Sequence, residues 1–186
     1  MRAQLAQQHR FEHTIRVARL ADTLAQAHGL DARAARTAGL LHDLARLYPA
    51  DRLIRECAVR SMPIDAFERT NPIVLHARLG AELARELFGV VDPAVLSAIA
   101  KHTVAAAEMS PLDCVVYLAD GLEPGRNFPE RAALAALAGR DLSGAMRATL
   151  EASMRYLQKQ GMAVAPQTLE AGRTFGISEE VFHCPN

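Results

Sequence analysis

His42 and Asp43 stand side by side in the stretch Leu40-Leu41-His42-Asp43-Leu44, an imidazole and a carboxylate inside a run patterned like the buried face of a helix. A carboxylate left unpaired among apolar neighbours costs several kcal/mol, so the pair requires a strong partner, and a metal ion answers that need. Alone, the dipeptide is explained equally well by a polar corner at a helix end. Its company changes the reading: His13, His76, His102 and Asp120 each lie at the edge of another apolar helical run. Four imidazoles and two carboxylates could thus converge in one helical core. Nitrogen and carboxylate oxygen without thiolate suit iron, manganese, cobalt or zinc, and exclude a structural zinc of the cysteine type. His13, His42, Asp43 and Asp120 would fill the protein positions around one ion. His76 and His102 are then surplus unless a second ion is present, with Asp43 bridging. Two ions roughly 3.5–4 Å apart can share a hydroxide, lower its pKa and clamp a phosphoryl group for in-line attack.

These side chains need helices to present them, and the pattern supplies helices throughout. From Arg2 to Ala27, His13, Val17, Leu20 and Leu24 form one stripe, with Glu12, Arg16, Arg19, Thr23 and Gln26 on another. Gly29 stops that helix, and His28 beside it is a polar C-terminal residue. Asp31 caps a second helix expected to run through Ala34, Ala35, Ala38, Leu41, His42 and Ala45 until Pro49. Pro49 opens a third helix at its first position, with Leu53, Ile54 and Cys57 facing in. A short helix between turns is expected in the segment from Arg60 to Thr70. Asn71-Pro72 then starts a helix over Ile73 to Phe88, with His76, Leu79, Gly80, Leu83 and Leu87 on one side and Gly89 as its stop. Asp92-Pro93 repeats the start signal and leads to His102. Ser110-Pro111 with Asp113 begins the helix that carries Leu112, Val116, Ala119 and Asp120, and a turn-rich piece spans Gly121 to Pro129. The remainder, through Leu134, Leu150 and Tyr156 to a short segment after Pro166, is helical and Ala-rich, with a loose tail after Gly176.

No segment alternates with period two, so the expected architecture is an all-α, single-domain helical bundle with the metal site in its core. The 186 residues suffice for one substantial core without disulfides. A formal net charge of +0 gives no electrostatic footprint for nucleic acid or an anionic membrane, so an anionic substrate must be held locally. Cys57, Cys114 and Cys184 are odd in number and widely spaced, which suits unpaired thiols in a reducing cytoplasm. No signal peptide or membrane-spanning run is visible, and the expected location is cytoplasmic. The pattern leaves room for a homodimer.

Arg10-x-x-His13-Thr14, Leu41-His42-Asp43, His76 with Ala77 and Gly80, Lys101-His102-Thr103, and Ala119-Asp120 with Glu123-Pro124-Gly125-Arg126 follow one another in a telling order. Together they resemble the successive motifs of the HD-domain superfamily of metal-dependent phosphohydrolases, most closely its YqeK-type branch of symmetrical bis(5'-nucleosyl)-tetraphosphatases. The resemblance covers roughly residues 10 to 160 and leaves a C-terminal helical extension and tail, all within one domain of residues 1–186. It implies two divalent or mixed-valence ions, iron foremost, and hydrolysis of diadenosine tetraphosphate to two ADP by a metal-bridging hydroxide. His13, His42, Asp43 and Asp120 would ligate one ion, and Asp43, His76 and His102 the other. Lys101, Thr103 and Arg126 would line the phosphate path, with Asp43, Lys101 and Arg126 acting in catalysis. Arg46, where the family more often has Lys, would add charge. This chain departs from the family at Val104-Ala105-Ala106, where a second Thr and a Gly usually follow, and at Gly121, usually aromatic. Both fall where the resemblance places nucleotide, so they bear on base or sugar contacts.

Blander readings stand beside these. His9 and His13, four apart, could form a zinc pair, but the flank Gln7-Gln8 marks His9 as a solvated neighbour. His183 is expected to be inert. Arg46 and Arg126 divide between surface cations and phosphate contacts, and Glu123 between orienting a ligand and capping a turn. A nucleotidase or phosphodiesterase of the same superfamily, or a non-catalytic nucleotide-sensing metal module, are the rival functions.

Overall fold

The computed structural model describes residues 2–178 and 181, with side chains from residue 7 onward. The roles expected of His183 and Cys184, and most of the loose tail, lie outside the described residues. Among the described residues ten α-helices follow in order: α1 (Arg2–Ala27), α2 (Ala32–Leu41), α3 (Ala50–Val59), α4 (Ala66–Thr70), α5 (Leu75–Phe88), α6 (Pro93–Lys101), α7 (Pro111–Leu122), α8 (Arg131–Ala138), α9 (Leu142–Lys159) and α10 (Pro166–Thr174). A 3-10 turn, Pro72–Val74, precedes α5, and no strand occurs among the described residues. The fold is all-α, as the period of the apolar residues requires.

Helix starts follow local chemistry. Asp31 accepts from the Arg33 and Ala34 amides, Asp92 from Ala94, and Ser110 forms a reciprocal capping box with Asp113. α7 is apolar on nearly every side and lies at the centre, touching α1, α2, α6, α8 and α9. Val115, Val116, Leu118 and Leu122 are wholly buried within the main core with Val17, Ile99, Met146 and Leu150. A satellite cluster of Ala45, Leu53, Cys57, Leu75, Leu79 and Leu83 ties α3 to α5.

Two glycines set the helix spacing around the His/Asp cluster. A Cβ on Gly39 would stand 2.8 Å from the Ala18 Cα, so α1 and α2 meet backbone to backbone and bring His13 and His42 together. A Cβ on Gly80 would stand 3.2 Å from the His42 carbonyl oxygen, which seats α5 against the end of α2. Gly39→Ala forces backbone apart rather than a flexible side chain, and the expected cost is about 1–3 kcal/mol. Urea denaturation of the variant against wild type checks this.

The structure corrects several boundaries. α2 stops at Leu41 instead of running on to Ala45: His42 is its C-cap, and three tight turns follow, closed by Leu44 N–H to Leu41 O, Arg46 N–H to Asp43 O and Tyr48 N–H to Ala45 O. The helix thus ends just before the pair, and in the turns that follow Asp43 Oδ2 lies 3.5 Å from His42 Nε2. Leu40 is 41 % exposed, outside the buried face expected for it. Pro49 is the N-cap of α3, one position before the expected place. Asn71 makes no side-chain cap, because its amide donates to the Phe67 carbonyl, and Pro72–Val74 is 3-10 before α5 begins. Leu87 lies in the last turn of α5, past its neighbours, and is 66 % exposed. Ile177, in the segment expected to be loose, is buried in the main core.

Candidate metal centre

Three of the four histidines sit at helix ends and satisfy carbonyls there. His42 follows α2 and its Nδ1 lies 2.7 Å from the Gly39 carbonyl; His102 follows α6 with Nδ1 2.7 Å from Ile99 O; His76 opens α5 with Nδ1 2.5 Å from Ile73 O. A carbonyl only accepts, so Nδ1 carries the proton and donates in each ring. The Nδ1 of His13, in mid-α1, lies 3.1 Å from Glu123 Oε1, again an acceptor. All four Nε2 atoms are thereby turned inward.

The inward atoms crowd one another. His13 Nε2 and His42 Nε2 are 3.3 Å apart, and His76 Nε2 and His102 Nε2 3.2 Å. Asp43 lies between these pairs. Its Oδ2 is 3.8 Å from His13 Nε2 and 3.5 Å from His42 Nε2, while Oδ1 is 3.3 Å from His76 Nε2 and 3.9 Å from His102 Nε2. Asp120 Oδ1 lies 3.1 Å from His13 and 3.9 Å from His42. His13, His42 and Asp43 form one group that could hold a metal ion, Asp43, His76 and His102 a second, and His42, His102 and Asp120 a third.

Charge states differ among the imidazoles: at His13 burial is outweighed by the bonds to Asp120 and Glu123, which raise it, whereas two others go the opposite way. Burial, followed by repulsion from His42, pushes His102 down to about 3, and burial also lowers His42, so both are neutral near pH 7 and keep a lone pair on Nε2. Burial would raise Asp43 and Asp120, but the surrounding imidazoles outweigh it, and both stay well below the usual carboxylate range. Bare nitrogen lone pairs and carboxylate oxygens facing one another repel unless a cation lies between them. This donor set therefore fits a metal ion.

Supporting groups surround the ligands. Glu123 is 2 % exposed and accepts from Arg16 Nε at 2.5 Å and from the Gly125 amide at 2.5 Å while holding His13. Burial would raise its pKa, but Arg16, Gly125 and His13 bring it to about 2. Glu123 thus caps the turn at Gly125 and also holds the His13 ring. Arg10 donates to Asp43 Oδ2 at 3.0 Å, and Arg126 donates to Asp120 through Nη2–Oδ1 at 2.6 Å and Nε to the main-chain carbonyl at 2.9 Å.

A cavity of about 210 Å³ opens onto this centre, walled by Asp43, His76, Thr103 and Asp120 and rimmed by Arg10, Arg46 and Arg126. Arg46 is half-buried and makes no hydrogen bond or ion pair among the described residues. Burial and then the neighbouring Arg10 depress its pKa, the position of a cation in want of an anion.

The structure thus brings together His13, His42, Asp43, His76, His102 and Asp120, with Arg46, Thr103 and Arg126 at the cavity. Thr103 Oγ1 lies 3.0 Å from His102 Nε2 and 3.2 Å from His76 Nε2. Lys101 is not brought there. Its ammonium donates to Asp113 Oδ2 and to the Glu108 carbonyl, both at 2.8 Å, because Asp113 is wholly buried and needs a cation. His9 is exposed, as expected. Neither departure from the family pattern opens onto the cavity: Ala105 is buried in the core, and a side chain at Gly121 would meet Thr149 of α9 at 3.8 Å. Sequence reasoning assigned no role to Arg10 or Arg16. Their spacing of three on either side of His13 puts all three near one face of α1, and that was the available signal.

Nitrogen and oxygen donors that could hold a metal ion, gathered around one carboxylate from α1, α5, α7 and the ends of α2 and α6, define a class of helical bundle with a polar centre. The HD domain family model matches residues 10–125. The symmetrical bis(5'-nucleosyl)-tetraphosphatase of Bacillus subtilis (strain 168) is 35 % identical over 161 residues, 87 % of this chain and 86 % of that protein. A probable nicotinate-nucleotide adenylyltransferase/Ap4A hydrolase of Mycoplasma pneumoniae is 40 % identical over 164 residues, 83 % of this chain but 45 % of that longer one. The crystal structure of a predicted HD superfamily hydrolase involved in NAD metabolism from Clostridium acetobutylicum superposes with a TM-score of 0.87 at 31 % identity, covering 89 % of this chain and 88 % of the other. The chain belongs to the HD domain family. Among the described residues no helix is long and apolar enough to cross a membrane.

Proposed function

We propose that this HD-domain enzyme is a metal-dependent hydrolase that splits diadenosine tetraphosphate symmetrically into two ADP. The observation that carries the reading is Asp43, which turns one oxygen to each histidine pair at the floor of a cavity rimmed by three arginines. Similarity to a relative named for symmetrical tetraphosphate cleavage over nearly its whole length supports the substrate. His13, His42 and Asp120 with Asp43 would hold one ion, and Asp43, His76 and His102 the other, with iron foremost and manganese, cobalt or zinc as substitutes. Such ions supply Lewis acidity and lower the pKa of water at neutral pH.

The chain's own residues do the rest. The four Nδ1 bonds fix each imidazole in the tautomer that leaves Nε2 bare. Arg46 offers a guanidinium to phosphoryl oxygens, and its planar fork suits a bidentate contact. Arg126 and Arg10 hold the carboxylates and face the same cavity, where they neutralise charge that grows on the phosphate chain. Thr103 lines the cavity wall with its hydroxyl. Lys101 has no part in this scheme. The whole of residues 1–186 acts as one unit, its C-terminal helices an extension of the HD core.

Incubating Mn2+- or Fe2+-loaded protein with diadenosine tetraphosphate and separating the products tests the proposal. ADP as sole nucleotide product supports it. ATP with AMP overturns symmetrical cleavage, and no product at all overturns the activity. Because Arg46 has no hydrogen-bond or ion-pair partner to lose among the described residues, Arg46→Ala should raise KM about 10- to 100-fold, the loss of one charge-assisted contact, with metal content unchanged. Steady-state kinetics beside elemental analysis check this.

A further inference from the structure

We propose that Thr168, on the C-terminal extension, is a positioning residue for the His102-Thr103 corner of the centre: its hydroxyl holds the Val104 carbonyl, so that Ala105 keeps a left-handed turn. The inference rests on the metal-binding part of the proposed function, not on its substrate.

Ala105 has φ of +59°. That region places the Cβ of an L-residue too close to its own backbone, and alanine, with no side-chain hydrogen bond to offer, holds it only where surrounding contacts fix it. The contacts are visible on both sides. The Ala105 amide donates to the Lys101 carbonyl at 3.0 Å, which closes the turn directly over His102 and Thr103. From the far side, Thr168 Oγ1, 7 % exposed at residue level, donates to Val104 O at 2.8 Å. α10 is itself tied down next to Thr168, where the Gln167 amide donates to Asp65 Oδ2 at 2.9 Å, and Asp65 caps α4.

The consequence reaches the ligands through one turn of chain. His102 Nε2 and the Thr103 hydroxyl are placed by the two residues before Val104, and both face His76 Nε2. A turn relaxed toward negative φ at Ala105 would swing Thr103 and loosen His102 against Ile99 O. Thr168 lies more than forty residues past the end of the HD match at residue 125, so the extension contributes to a centre whose ligands all lie within the match.

The test is Mn2+ titration of metal-free wild type, Thr168→Val, Thr168→Ser and the double variant Thr168→Val with Ala105→Gly, alongside thermal melts. Valine keeps the shape and removes the donor; serine keeps the donor; glycine takes the left-handed turn without help. Expected is a loss of about threefold to tenfold in Mn2+ affinity for Thr168→Val, somewhat below the loss typical of residues that contact a ligand directly. Thr168→Ser should bind as wild type, and the glycine variant should recover the affinity. Equal affinity in Thr168→Val and wild type overturns the proposal. So does an equal loss in all three variants, which would mark general destabilisation. A wild type that binds no Mn2+ overturns the metal reading itself and this inference with it, whereas failure to cleave diadenosine tetraphosphate leaves the titration result standing.

Discussion

Asp43→Asn is expected to lower turnover by at least about a thousandfold, which corresponds to about 4 kcal/mol of transition-state stabilisation, and to release at least one metal ion. The reason is geometric. Oδ2 of Asp43 faces the His13 and His42 pair, and Oδ1 faces the His76 and His102 pair. Asparagine retains the outline but has one oxygen, so one of the two histidine pairs would face an amide NH2 that binds no cation. Charge points the same way. The four imidazoles are ligands only when neutral, so Asp43 and Asp120 supply all the negative charge the proposed ions meet among these six residues. Asp43 is held well below the usual carboxylate range because the surrounding imidazoles, His76 first, outweigh its burial. The loss should be confined to the centre, since Asp43 belongs to neither apolar cluster, and the far-ultraviolet circular dichroism should match wild type. Metal analysis and product assay on the same preparation decide the matter. A variant that retains both its metal content and its turnover would remove Asp43 from the role assigned to it.

The legible parts of this molecule were those written in neighbouring residues. Asp31, Asp92-Pro93 and Ser110-Pro111 mark helix starts because an oxygen accepts from one of the first free amides and a proline removes another, a local matter. The four histidines and two aspartates stood out because each is polar on an apolar stripe, and the order of their motifs placed them together; the structure converges them. Adjacency misled where helix geometry intervenes. Lys101 precedes His102, but one residue along a helix turns a side chain by about 100°, and its ammonium goes to Asp113 on the other side. Asp43 lies beyond the end of α2, in the turns that follow Leu41, and no propensity announces that boundary. The pairing of Arg16 with Glu123 spans 107 positions and has no local signature. Nor does the link between Thr168 and Val104, made by the short helical segment after Pro166, to which sequence reasoning assigned no role at the centre.

Glu123→Gln is the substitution expected to separate holding His13 from merely filling the space behind it. Three donors converge on this carboxylate: Arg16 Nε, the Gly125 amide and His13 Nδ1. An amide has one acceptor oxygen, so its NH2 must face at least one of those donors, and the fully buried side of the group cannot turn to water. Breaking a buried ion pair costs about 3–5 kcal/mol, but the Arg16 side chain is 27 % exposed and water screens part of that, so about 2 kcal/mol is expected in urea denaturation. The larger effect falls on the metal. With the NH2 turned toward His13, Nδ1 loses its acceptor, the opposite tautomer becomes accessible, and a proton on Nε2 would point at Asp120 where a bare lone pair is needed. Loss of such an orienting partner lowers metal affinity by about 10- to 100-fold. Arg16→Ala supplies the contrast: it removes the guanidinium but leaves Glu123 against His13, and metal affinity should stay within about threefold of wild type while stability falls by about 2–3 kcal/mol, because the buried carboxylate loses its cation. Mn2+ titration of the two variants side by side reads the difference. If Glu123→Gln binds Mn2+ as tightly as Arg16→Ala, the tautomer of His13 is set by something other than Glu123, and the carboxylate serves only to cap the turn at Gly125.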